Sequence, residues 1–236
     1  MKKGFWFIFF VSFFMVSCGI EAIYGIKGNG NVVERNYDLS RFQKLDMLGS
    51  MDVVYYKSNS YRATVVVDEN IQPYVLVEEG NNTLRLKMKP GSFSYKKLLI
   101  KVYAPDLSSV DLIGSGDFKA NDKITANKFW GAVSGSGNFR GTLDCEKVEM
   151  AISGSGDVKV GGKTQDLNVR ISGSGNFNGK SLQSENANIK VSGSGDVTVF
   201  ATESLDAVVS GSGDVRYLGN PRLNTKTSGS GSIHKL

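Results

Sequence analysis

Residues 152–158 read Ile152-Ser153-Gly154-Ser155-Gly156-Asp157-Val158, and close variants of this heptapeptide return throughout the second half of the chain. Its Gly-Ser-Gly centre begins at Gly114, Gly135, Gly154, Gly173, Gly193, Gly211 and Gly229, at intervals of 18 to 21 residues. A unit this short cannot bury an apolar face alone, so a fixed period of this length marks a solenoid in which each copy is one rung of a stack.

The register inside the repeat specifies strands. Two residues before and four after the first glycine stand Ile152 and Val158, Ile171 and Phe177, Val191 and Val197, Val209 and Val215. Six before it stand Phe129, Val148, Leu167, Ala187, Leu205 and Leu223. Even spacing places all of these on one face of an extended chain. The inward set is too long for one straight strand of a compact rung, so the chain has to bend within it. Gly-Ser-Gly is the natural corner: both glycines fall in the inward phase, where they admit positive φ or close approach of another backbone. The residues left over, such as Lys180 to Glu185, are expected to close each rung as a surface turn. Successive rungs then pair in parallel about 4.8 Å apart, and crossover chirality favours a right-handed coil. The expected fold is all-β, a right-handed parallel β-helix with seven Gly-Ser-Gly rungs over residues 111–236.

Residues 36–110 are less regular and read as a β-rich start of the same domain. Strand-like runs occupy Met51–Tyr56, Arg62–Val67, Tyr74–Glu78, Thr83–Met88 and Leu98–Tyr103, and Gly80-Asn81-Asn82 reads as a hairpin turn. Gly49-Ser50-Met51-Asp52-Val53 echoes the later motif, so this segment is expected to open the stack and cap its first end. No cap is evident at the other end, and the rung after Leu223 is expected to be mobile or covered by a partner.

The outward positions form columns. One reads Asp117, Asn138, Asp157, Asn176, Asp196, Asp214, Ser232; two residues further on stand Lys119, Arg140, Lys159, Asn178, Thr198, Arg216, His234. Neighbouring opposite charges are expected to pair and relieve the repulsion of stacked carboxylates. Calcium-binding β-rolls use Gly-Gly-x-Gly-x-Asp, from which Gly-Ser-Gly-Asp departs, so the Asx column reads as corner capping and no metal or cofactor is expected. No catalytic residue is assigned. The single histidine, His234, lies on the last rung, and Cys145 lies between Asp144 and Glu146, which disfavour its thiolate.

The first residues form a separate unit. Lys2 and Lys3 precede an apolar run from Gly4 to Val16, the layout of an export signal too short to span a bilayer comfortably. Val16-Ser17-Cys18 resembles the lipobox of bacterial lipoproteins, with Met15 where that pattern prefers Leu. The expectation is a lipoprotein signal over 1–17, lipidation at Cys18, and an anchor and tether over 18–35; the alternative is an ordinary cleaved signal in which Cys18 is incidental. Lipidation would leave Cys145 without a disulfide partner. Removing Lys2 and Lys3 from 28 basic residues leaves 26 against 23 acidic ones, scattered among each other, so no nucleic-acid partner is expected.

The chain resembles a known family. Phe42 through Gly49-Ser50-Met51-Asp52-Val53, then Asp68-Glu69-Asn70, Asn82-Thr83-Leu84, Ala104-Pro105-Asp106-Leu107 and the repeated Gly-Ser-Gly-Asp look like the head GIN domain of autotransporter adhesins. The resemblance implies a β-helical head without known catalytic residues on exported proteins of Bacteroidetes-type bacteria. The functional expectation is a noncatalytic envelope lipoprotein, held to the membrane by its lipid and presenting a polar surface to an envelope protein or a surface glycan. The outer membrane is expected, because no aspartate follows Cys18 directly. The alternatives are a periplasm-facing structural or regulatory lipoprotein and a carbohydrate-active β-helix enzyme, which would need convergent carboxylates in a cleft.

Overall fold

The computed structural model describes residues 25–236. The expected signal over 1–17, Cys18 and the first part of the tether lie outside the described residues.

The chain is almost wholly strand, as expected, and its second half is a parallel β-helix. The first part contains β1 (Ile26–Lys27), β2 (Val32–Asp38), β3 (Lys44–Gly49), β4 (Asp52–Lys57), β5 (Arg62–Asp68), β6 (Val75–Gly80), β7 (Thr83–Met88), β8 (Phe93–Ser94) and β9 (Leu98–Ala104). The stack follows with β10 (Ser109–Gly114), β11 (Phe118–Ala120), β12 (Ile124–Gly135), β13 (Phe139–Gly154), β14 (Val158–Gly173), β15 (Phe177–Gly193) and β16 (Val197–Gly211). It ends in β17 (Val215–Leu218), β18 (Arg222–Gly229) and β19 (Ile233–Lys235). Successive rungs pair in parallel with their glycines in register, Gly114 on Gly135, Gly154, Gly173, Gly193, Gly211 and Gly229 in turn.

The corner explains the motif. The first glycine of each triplet has positive φ, from +116° at Gly229 to +135° at Gly114. At the second glycine a Cβ would run into the carbonyl oxygen of the rung beneath, for example Gly156 into that of Gly137. That same crowding is productive for hydrogen bonding: Ser155 and Gly156 both donate to the Gly135 carbonyl, at 2.9 and 3.1 Å, and the pattern repeats rung after rung. Inside, Val148, Met150, Ile152 and Val158 and their counterparts are buried, and Phe118 stacks on Phe139 at 5.0 Å. Close-packed apolar columns of this kind are what hold a solenoid together.

The first part caps the stack by an indirect route. Gly49-Ser50-Met51 is indeed a rung corner, with β3 under β10 and β4 under β11. The next layer beneath is built from later sequence, β7 under β3 and β9 under β4, after which the chain returns past this rung to lay down β10. The Tyr55 hydroxyl donates to the Ala104 carbonyl at 3.1 Å and helps tie that return in place. Antiparallel β6 and β5 cover the free edges of β7 and β9, and β2 covers β5.

Two expectations are corrected. Val32 to Arg35 are not tether: they begin β2, whose seven residues pair with β5 from Val32 on Asp68 to Asp38 on Arg62. Ordering the strand there satisfies the backbone groups that β5 would otherwise expose. The segment Lys180 to Glu185 is not a surface turn either, since it lies within β15 and pairs with β14, Leu182 on Gly162 and Ser184 on Thr164.

Candidate binding surface

Each Asx side chain of the corner column serves the rung above it. Asp117 Oδ1 accepts from the Asn138 backbone at 3.0 Å, Asn138 Oδ1 from Asp157 at 3.2 Å, Asp157 Oδ1 from Asn176 at 3.0 Å and Asn176 Oδ1 from Asp196 at 2.9 Å. Asp196 and Asp214 continue the ladder to Asp214 and Ser232, both at 2.9 Å. An acceptor aimed at a corner N–H satisfies a group that the sharp bend removes from the ordinary strand ladder. Asparagine and aspartate both supply that oxygen, which accounts for their alternation. The expected charge pairing with the next column is confined to Arg216, which reaches Asp196 at 3.0 Å and Asp214 at 3.3 Å. The backbone N–H groups, rather than lysines, take up the carboxylates elsewhere in the column. Among the described residues there is no cluster of three or more His, Cys, Asp or Glu side chains able to hold a metal ion.

A cleft of about 630 Å³ runs across the rungs on the side opposite the glycine corners in sequence. It arises from a slip in the inward phase. Leu143 and Cys145 are buried and so is Val148, an odd spacing that forces successive residues outward and bends the strand, and Thr164 to Leu167 and Ser184 to Ala187 repeat the slip. One wall carries Asp144, Lys163 and Gln183, the other Glu146, Gln165 and Glu185. The floor polar groups are occupied: the Thr164 hydroxyl donates to the Glu146 carbonyl at 3.0 Å and the Ser184 hydroxyl to the Phe200 carbonyl at 2.8 Å. Asp144 is gripped by Lys123 at 2.7 Å and Lys163 at 3.7 Å, and the Lys123 hydrogen bond holds its carboxyl below the usual aspartate range.

The residues singled out from sequence fall in different places. Cys145 lies in the cleft floor as a free, buried cysteine, and burial pushes its thiol pKa up, so it is a packing residue with little thiolate. His234 is exposed on the last rung, its Nδ1 3.3 Å from the Ser232 hydroxyl and remote from the cleft. The wall residues went unread because repeat lengths vary in this stretch, which hides the columns. The odd apolar spacing Cys145 to Val148, repeated in later rungs, was the available signal.

Comparison with known proteins agrees with the fold. Residues 41–221 match the family described as "Putative auto-transporter adhesin, head GIN domain". The crystal structure of a "putative adhesin" from Bacteroides fragilis superposes with a TM-score of 0.87 at 28% identity, covering 90% of this chain and all of that one. A second such adhesin, from Parabacteroides distasonis, gives 0.76 at 25% identity, covering 89% of this chain and 99% of its own. A protein from the same organism described as a "putative lipid binding protein" gives 0.70 at 27% identity, with 89% and 99% covered. No curated protein matches the sequence.

Proposed function

The chain belongs to the auto-transporter adhesin head GIN domain family, and on that premise we propose that it is a noncatalytic, lipid-anchored envelope protein whose head binds an extended protein or glycan in the polar cleft. The observation that carries this reading is the cleft itself. Its walls are polar side chains fixed on paired strands, one from each wall per rung, so an elongated partner lying along the axis meets hydrogen-bonding groups at regular intervals. Rigid strands hold such groups with little ordering cost on binding.

Hydrolysis of a glycosidic bond needs one carboxyl kept protonated and another poised near it; Asp144, paired with Lys123 and Lys163, does not fit the protonated role. Lipid binding, named for one relative, has no room inside the β-helix, whose interior is filled by buried side chains such as Phe118, Phe139 and Phe177. Anchoring at Cys18 and placement in the outer membrane belong to the proposal. Protease treatment of intact cells tests it: cleavage of the head supports surface adhesion. Survival until the outer membrane is permeabilised would instead favour the periplasm-facing reading, with the exposed Leu223 end as the contact for a partner. Release of reducing sugars from any of a panel of polysaccharides would revive catalysis.

A further inference from the structure

Register turns the basic residues into a row. Lys119 pairs with Arg140, and Arg140 with Lys159, on consecutive rungs of the flank that follows the glycine corner. All are exposed. Among the described residues none of them lies in an ion pair, while Lys101, further along the same column, is taken by Glu34 at 3.0 Å. The nearest carboxylates are directed at the corner and not at the row: Asp117 and Asp157 turn their Oδ1 atoms to the Asn138 and Asn176 N–H groups, each at 3.0 Å, and leave the three cations without a direct partner among the described residues. The row borders a shallow trough of about 330 Å³ whose bed includes Gly141, Thr142 and Gly161, so a ligand can approach the backbone closely.

An aromatic block stands at the cap end of this trough. Tyr56 and Tyr103 stack at 5.3 Å with 17° between their planes, and the Arg62 guanidinium lies 4.4 Å from the Tyr103 ring centre. The rung that follows Tyr56 is the one that carries Lys119, paired with Val54. Cations in the column beside an aromatic one are suited to an anionic sugar chain: ammonium and guanidinium groups meet carboxylates, and a ring meets the apolar face of a pyranose.

We propose that this flank is a second binding surface, for a linear acidic polysaccharide that lies along the β-helix axis with carboxylates over Lys119, Arg140 and Lys159 and a sugar against the Tyr56–Tyr103 stack. The proposal rests on reading the head as a binding module but uses a different face from the cleft. Strand spacing sets the cations about 4.8 Å apart, close to the advance of one sugar in an extended chain. Duplex DNA carries a phosphate charge about every 1.7 Å of axis, so it cannot match the row one to one. Each exposed ion pair contributes little alone, and affinity comes from engaging several on one rigid sheet, with strong dependence on salt.

The test is affinity electrophoresis of the purified full chain through gels containing polygalacturonate, with dextran as the neutral control. The wild type is expected to be retarded by polygalacturonate alone, less so as salt rises. Lys119→Gln, Arg140→Gln and Lys159→Gln combined are expected to weaken retardation by roughly tenfold with unchanged circular dichroism and melting. A Gln165→Ala, Glu185→Ala cleft variant is expected to bind polygalacturonate as the wild type does. No selective retardation of the wild type, or full retardation of the triple variant, would overturn the proposal and leave the cleft reading standing. Equal binding to phosphatidylglycerol vesicles or to duplex DNA, lost in the same triple variant, would also overturn it, by reducing the row to unselective attraction.

Discussion

A methyl group at Gly154 has no room: its φ is +124° and the Cβ would run into the Gly135 carbonyl oxygen. Gly49 separates these two costs, because its φ is +117° yet an added Cβ there meets nothing within 4 Å. Met51 occupies the second glycine's place on that same corner and is buried. The second glycine is therefore required by the carbonyl beneath it, and the first also by its dihedral. Gly154→Ala is expected to lower stability by roughly 2–4 kcal/mol, Gly49→Ala by about half of that, and Ser155→Ala by no more than about 0.5 kcal/mol, measured by thermal or denaturant unfolding. Asp214 gives a pH test of the ladder. Hydrogen bonds from the Ser232 hydroxyl and backbone hold its carboxyl below the ordinary value of 3.8. A carboxyl lowered on folding adds stability that is complete above the unfolded value and is lost as pH falls through the folded one. The protection of the Ser232 amide, its exchange rate measured against the intrinsic rate at the same pH, is thus expected to fall below about pH 4. In Asp214→Asn, whose amide oxygen still accepts, that loss of protection should disappear.

At the scale of elements, the turn between β6 and β7 shows how local chemistry fixes register. Asn81 and Asn82 have φ of 50° and 61°, and Gly80 pairs with Thr83, so this is a two-residue hairpin with both central residues left-handed. Asn82→Gly is expected to leave stability within about 0.5 kcal/mol, whereas Asn82→Val, β-branched at positive φ, should cost about 1–2 kcal/mol. The last rung makes the opposite point. In β18 every residue is exposed, and Leu223 is 50% exposed where Leu205 beneath it is fully buried. Amide exchange after Leu223 should therefore be the fastest in the stack, and protection there equal to that of β14 would mean the end is covered. The strands and corners were legible because period, alternation and glycine placement all state the same geometry: Thr83–Met88 was located to the residue, and the Gly49 corner by its echo of the motif. Less legible was what depends on stacking rather than on local pattern. The insertion of β7 and β9 beneath an earlier rung leaves no periodic trace, and the Asx ladder needed the next rung's N–H groups in view. For the same reason the cleft was hidden by variable repeat lengths, while the basic row could be read off the aligned repeats with only its freedom from carboxylates unknown.

For the whole molecule, stability is distributed along a column of buried layers, and function along the columns outside it. Phe139 stacks on Phe118 of the rung beneath at 5.0 Å and meets Phe129, from the strand that leads into its own corner, at 5.9 Å. Its replacement by alanine is expected to cost about 3–5 kcal/mol, and the loss should extend to neighbouring rungs because each rung is stabilised through its interfaces. The same stacking keeps the cleft walls and the basic row straight, so a ligand lying along the axis meets groups at one constant interval. Everything proposed for binding follows from that interval. The most direct test places spin labels at Ser115 and Ser174, or at Ser115 and Ser212, with Cys18 and Cys145 replaced, and measures their separation by pulsed electron paramagnetic resonance. The glycine corners beside these serines are three and five in-register steps apart, so backbone separations of about 14 and 24 Å are predicted. Distances that fail to grow with the number of rungs, or a broad distribution for the longer pair, would contradict a straight in-register stack and the binding surfaces built on it.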